Sequence, residues 1–199
     1  MDKYNVGIVL NVLLVILEVI ALIQCYHDFG SIDFRYYTID SNIFALIAAV
    51  LYLYTRKNIP KVVKLAKYSS ALSLLITFLV VIFVLYPMYN FNFQLMFLDG
   101  PNFLMHIVCP LIVLISFIFF EEIDLENSLR NNVRSLYFTI VYAIVLISLN
   151  ILRVLVGPYP FLKVYEQPVF MTVLWLVGIL VFAFILSRIL MKLNELTRY

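Results

Sequence analysis

The stretch Phe34-Arg35-Tyr36-Tyr37-Thr38-Ile39-Asp40-Ser41-Asn42 runs without a break into the apolar segment Ile43-Phe44-Ala45-Leu46-Ile47-Ala48-Ala49-Val50-Leu51. Read as a soluble loop, its hydroxyls, carboxylate and amide simply stay hydrated. Read as the head of a membrane helix, the same groups lose water, and each then needs a partner. Polar groups held at that depth are functional candidates by default. Composition decides between the two readings. Hydrophobic residues make up 64% of the 199-residue chain and charged residues 13%, with a mean hydropathy of +1.02. Soluble domains average roughly 45–50% apolar and 25% charged residues. The expectation is an all-α membrane protein in which residues 1–199 form a single transmembrane domain, a bundle of about six helices of roughly 20 residues each.

Upstream of the polar run, residues 6–23 are apolar apart from Asn11 and Glu18 and are long enough to span. A cleavable signal peptide is the rival reading. The barely basic start, the long apolar core and the lack of small residues in Gln24-Cys25-Tyr26-His27 favour a retained helix. Glu18 then falls about 18 Å along it, past the midplane, and is expected to be protonated or paired. Residues 26–37, with Gly30 and Ser31, read as a loop.

Downstream, spans are expected over residues 38–54, 68–86, 102–120, 135–154 and 169–190. Arg56, Lys57, Lys61, Lys64 and Lys67, arranged around Pro60, form a basic connection between the second span and the third. Pro87 ends the third span, residues 88–101 contain no Lys or Arg, and residues 121–134 are charged. The turn signal Gly157-Pro158-Tyr159-Pro160 follows the fifth span. Of the fourteen Lys and Arg residues, all but Arg35, Arg153 and Lys163 fall on one side of such a bundle. The positive-inside rule then places both termini in the cytoplasm, and the acidic residues Glu121, Glu122, Asp124 and Glu126 carry little weight in it.

A net charge of +2, scattered along the chain, argues against a nucleic-acid partner. Cys25 and Cys109 match no metal spacing or disulfide framework, and no metal or cofactor is expected. There is no Gly-x-Ser-x-Gly elbow, His-Glu-x-x-His, Walker loop or Gly-x-Gly-x-x-Gly, so ordinary serine hydrolase, metalloprotease, ATPase and dinucleotide readings fall away.

Polar residues are concentrated at one level of the expected bundle. Glu18, then Thr38, Asp40, Ser41 and Asn42, then Asn102 and His106, then Asn150 and Arg153 all fall in the outer half, from four different helices. The inner half offers little beyond scattered Ser and Thr. A polar cavity between helices, opening toward the outer leaflet, is the expected result. His106 is its sharpest member, with Asn102 four residues before it and Pro110 four after. Pro110 removes the N–H that would bond the His106 carbonyl, which predicts a kink there. A membrane histidine often does no more than join helices. The same imidazole also suits a general base acting on a hydroxyl such as Thr38 or Ser41, which share a helix face.

The run around Thr38-Ile39-Asp40-Ser41-Asn42, followed by Leu104-Met105-His106-Ile107-Val108-Cys109-Pro110, resembles the androgen-induced-gene-like family of six-span integral membrane hydrolases and its bacterial relatives. Eukaryotic members hydrolyse fatty acid esters of hydroxy fatty acids with a threonine nucleophile and a histidine. The resemblance implies a lipid-ester hydrolase with Thr38 as nucleophile and His106 as its base. Ile, Asn and Lys usage points to a bacterial member in the cytoplasmic membrane. Ser41, Asn42, Asn102 and the free N–H groups opening the second span are candidate oxyanion or substrate donors. Arg35 or Arg153 would hold a substrate carboxylate, and Glu18 or Asp99 would orient His106, with an ion pair of Glu18 and Arg153 as the plainer alternative. A small transporter or lipid-binding protein with the same cavity is the second functional class, and a purely structural role for the polar groups is the third.

Overall fold

Asp2 opens the first helix: its carboxylate accepts from the Asn5 N–H at 2.8 Å, and Gly30, at φ 72°, closes it in the left-handed conformation that glycine adopts without strain. The computed structural model describes residues 2–121 and 123–197, and the described residues are helical with no strand. The helices are α1 (Lys3–Phe29), α2 (Tyr37–Thr55), α3 (Lys61–Met88), α4 (Leu104–Phe120), α5 (Leu129–Ser135), α6 (Tyr137–Ile151) and α7 (Val169–Leu196). Four of them, α1, α2, α3 and α7, are long and apolar enough to cross a membrane. The pair α5 and α6, bent by 43°, would make a fifth span, and α4 is a shorter apolar helix. Glu122 and Arg198, which entered the charge reading, lie outside the described residues.

The centre of the bundle is α3, which packs against α1's neighbours α2 and α4 and also against α5, α6 and α7. Close approach is possible because the facing residues are small: Ala45, Ala48 and Ala49 of α2 and Ser70, Ala71 and Ser73 of α3 are fully buried. Small residues let membrane helices approach to backbone contact. The α1–α4 seam is equally tight, since a Cβ on Gly7 would stand 2.7 Å from the Phe120 carbonyl oxygen. Val173, Val177, Val181, Ile185 and Ile189 of α7 face outward, as a lipid-contacting helix requires.

Two prolines mark departures from regular helix. Val81–Leu85 and Leu104–Val108 are both wider π turns, and each stands just ahead of a proline, Pro87 or Pro110. Each proline lacks the N–H that an α-turn would use and crowds the carbonyl four residues back, and a wider turn relieves both. The kink expected at His106 therefore takes the form of a π turn that contains it.

The basic connection is corrected in part. Helix α3 begins at Lys61, not near Tyr68, so Lys61, Lys64 and Lys67 are helical and Lys67 is fully buried. The expectation that the far half of the bundle is nearly free of polar groups also fails. There the Lys67 Nζ lies 3.1 Å from the Glu121 carboxylate and donates to the Asn11 Oδ1 at 2.7 Å. Asn11 and Ser116 both donate to the same Glu121 oxygen, at 2.8 and 2.7 Å.

Candidate functional site

Tyr36 and Tyr37 begin α2 with no side-chain cap, so Thr38 sits in the first turn, one residue inside the helix, and is buried. Asn42, one turn on, holds it in place. Its amide donates to the Thr38 carbonyl at 2.7 Å and to the Met105 carbonyl of α4 at 3.2 Å. One side chain thereby ties the turn carrying Thr38 to the turn carrying His106. Ser41 donates to the Thr38 carbonyl at 3.1 Å and shares a hydrogen bond with Thr77 of α3 at 2.9 Å.

Across this seam the Thr38 Oγ1 lies 3.4 Å from the His106 Nε2, and both residues are buried. The other ring nitrogen, Nδ1, is 2.6 Å from the Met96 carbonyl oxygen. A carbonyl only accepts, so Nδ1 carries the proton and Nε2 presents its lone pair to the threonine hydroxyl. The long 3.4 Å contact is the kind that tightens when substrate is present.

The segment between α3 and α4 supplies that carbonyl. Gln94–Leu98 forms a π turn that buries Met96 and Phe97 beneath the start of α4. The residue five beyond Met96, where a π turn would find its donor, is Pro101, which has no N–H. The Met96 carbonyl is consequently left for the imidazole.

Two cavities meet at Thr38. The larger, of about 490 Å³, is lined by Arg35, Asp33, Met96, Asn102 and His106 among others. The smaller, of about 60 Å³, runs between α3, α6 and α7 past Ile76, Val80, Ala143 and Ile179. Thr38, Leu85 and Tyr159 border both. Tyr159 was not identified from sequence. It comes from the Gly157-Pro158-Tyr159-Pro160 turn, which folds back so that its phenol meets the side chain and main chain of Thr38. A Cβ on Gly157 would stand 2.6 Å from the Leu162 carbonyl oxygen, so this fold-back requires glycine. Burial pushes the Tyr159 hydroxyl well above the ordinary tyrosine range, keeping it a neutral donor.

The remaining expected residues divide. Asn102 lines the larger cavity, but its amide already donates to the Leu95 carbonyl at 2.7 Å. The amide of Asn42 and the hydroxyl of Ser41 are likewise engaged, which makes them positioning groups rather than free donors. Arg35 stands at the rim of the cavity and grips Asp33 at 2.6 Å, a bond that holds the Asp33 carboxyl below its usual range. Asp99 accepts from Gln94 at 2.7 Å and does not orient His106. Glu18 is fully buried against the Cys109 thiol, a weak hydrogen-bond donor, with no cation or amide on its carboxylate oxygens. The expected ion pair of Glu18 and Arg153 does not form. Arg153 stands in an exposed turn at φ 58°, its guanidinium 4.8 Å from the Tyr165 ring, in a separate cavity with Lys163 and Glu166. Among the described residues no group of His, Cys, Asp and Glu is arranged to hold a metal ion.

The arrangement defines a class of protein: a multi-helix, membrane-type bundle with a buried, oriented hydroxyl–imidazole pair between two cavities. Comparison with protein families, curated proteins and solved structures gives no match for the chain.

Proposed function

We propose that this protein is an integral membrane hydrolase that cleaves lipid esters, with Thr38 as nucleophile and His106 as general base, of the kind the androgen-induced-gene-like resemblance implies. The observation that carries the reading is the orientation of His106. The Met96 carbonyl fixes its Nδ1 proton at 2.6 Å, and its basic Nε2 faces the Thr38 hydroxyl. A nucleophile, a base and a group that orients the base are the parts that acyl transfer needs, and a backbone carbonyl here does what a carboxylate does in the serine triads. Thr38 attacks the ester carbonyl and gives its proton to Nε2. The same imidazole then protonates the departing alkoxide, and water, deprotonated in turn, resolves the acyl-threonine. The Tyr159 phenol, which meets Thr38 and the first N–H groups of α2, is the donor this reading assigns to the carbonyl oxygen as it gains charge.

In this reading the bundle has six spans, with α4 and the bent α5–α6 pair each counted as one, and both termini in the cytoplasm of a bacterial cell. The substrate is a fatty acyl ester such as a fatty acid ester of a hydroxy fatty acid. The protein uses no metal or cofactor.

The test is intact-mass analysis after exposure to a lipid-like fluorophosphonate or activated ester. Label on wild-type protein that is absent from Thr38→Ala and His106→Ala supports the dyad. Folded protein that neither takes label nor turns over branched fatty esters overturns it. The second reading, a transporter or lipid-binding protein, draws on the burial of Glu18 in the middle of α1 with only the Cys109 thiol against its carboxyl and no cation on it. It predicts that Glu18→Gln, and not Thr38→Ala, removes function.

A further inference from the structure

The two cavities that meet at Thr38 differ in a way that assigns the two halves of an ester substrate. The argument rests on Thr38 acting as the nucleophile. His106 lines only the larger cavity. After the first step its Nε2 holds the proton taken from Thr38, and that proton has to reach the oxygen of the leaving alcohol. The C–O bond that breaks must therefore point into the larger cavity, and the water that later attacks the acyl-threonine must come from the same side to be deprotonated by the same nitrogen. With attack, leaving group and water all on the His106 side, only the smaller cavity is left for the acyl chain.

The chemistry of the smaller cavity fits that occupant. Ile76, Val80, Ala143, Leu176, Ile179 and Leu180 give it carbon walls. Apart from Thr38 and Tyr159, which it shares with the larger cavity, the hydroxyl groups that border it already have partners: Thr77 bonds Ser41, Thr139 bonds Tyr37, and Tyr142 donates to the Arg35 carbonyl. None of these three faces a ligand unsatisfied. Helices α6 and α7 both pack on α3 but not closely on each other, and the slot lies between them. We propose that this slot between α3, α6 and α7 is the acyl-chain subsite, entered sideways from the bilayer, and that the alcohol half of the ester occupies the larger cavity beneath the Arg35–Asp33 rim.

Covalent balance follows. The Thr38 Oγ–acyl bond forms as the ester C–O bond breaks, the alcohol leaves carrying the proton from Nε2, and water then returns free fatty acid and the threonine hydroxyl.

The first test uses wild-type protein. An activated fatty ester bearing a diazirine at the chain terminus acylates Thr38, and light then records where the chain lies. Crosslinks to residues of α6 and α7 are the expected result. Crosslinks confined to the segment 89–101 overturn the assignment while leaving the nucleophile intact. The second test measures hydrolysis of nitrophenyl esters from butanoate to hexadecanoate by Ala143→Phe, Leu176→Trp and Leu95→Trp. The two slot variants should lower the long-to-short ratio by about tenfold or more, since several methylenes lose their place. Leu95→Trp, in the larger cavity, should leave the ratio unchanged. A reversed pattern overturns the assignment. Absence of acylation in wild type, or acylation that survives in Thr38→Ala, overturns the dyad itself and the subsite with it.

Discussion

At the scale of the residue, the site depends on which atom each polar group faces. His106 is oriented by a main-chain carbonyl, so no side-chain deletion removes its orienting partner, and the predictions fall on the dyad and on Asn42. His106→Ala is expected to lower kcat by about 10²- to 10⁴-fold, the range for losing a general base. Thr38→Ser should retain a measurable rate that Thr38→Ala lacks, and both are read by single-turnover assays on a nitrophenyl ester. Asn42 spans the Thr38 and Met105 carbonyls, so Asn42→Ala frees one turn from the other. A misplacement on the order of 1 Å costs about 10²-fold in rate. The expectation is a loss of that size in kcat with the acyl-chain preference unchanged. Thr38, His106 and Asn42 were legible in the sequence because they are polar at a depth where polarity needs a reason. The Met96 carbonyl was not, since every residue has a carbonyl and only the fold shows which one lacks a partner. Tyr159 was read as part of a turn because its role depends on the turn folding back over α2.

The elements were legible where punctuation is strong. Helix α2 starts and stops within a residue of expectation, and α4 ends at Phe120 as expected. Helix α3 was missed by about two turns at its start because Lys61, Lys64 and Lys67 look like a solvated loop, whereas Lys67 lies inside the bundle. The expected proline distortion of α4 is present, as a π turn over Leu104–Val108. That turn carries His106 and sets the direction its ring points. Pro110→Ala restores the missing donor and lets the turn close to α-geometry, which removes a helix-interior proline that ordinarily costs about 3 kcal/mol. The variant should be at least as thermostable as wild type while losing most of its turnover, because the imidazole rotates with the helix. Thermal unfolding in detergent beside an ester assay checks both. A variant that loses stability and keeps activity would show that the π turn does not position His106.

Across the whole molecule, buried polarity is split between two ends that serve different purposes. The Thr38–His106 end borders cavities, while at the Lys67–Glu121 end the buried polar groups bond one another. There Lys67, Glu121, Asn11 and Ser116 are all fully or almost fully buried, and they join α1, α3 and the end of α4. The Asn194 amide of α7 adds bonds to the Phe117 and Glu121 carbonyls, at 2.6 and 2.9 Å. A buried ion pair contributes little net stability when both charges are considered together, because removing them from water offsets their attraction. Removing one partner is far worse, since the other is stranded, typically by about 3–5 kcal/mol. Lys67→Met should therefore lower stability by that amount, as Glu121 loses its cation and keeps Asn11 and Ser116. Lys67→Met combined with Glu121→Gln should recover much of the loss, because the remaining amide is neutral and still within reach of both donors. Double-mutant analysis of unfolding in detergent gives the coupling between the two positions. Hydrolysis per folded molecule should stay near wild type in both variants, since Lys67 and His106 lie toward opposite ends of the bundle on α3 and α4. A drop in turnover that tracks Lys67 at constant folded fraction would instead mean that the two ends are coupled through α4, whose first turn carries the imidazole and whose last residue precedes Glu121.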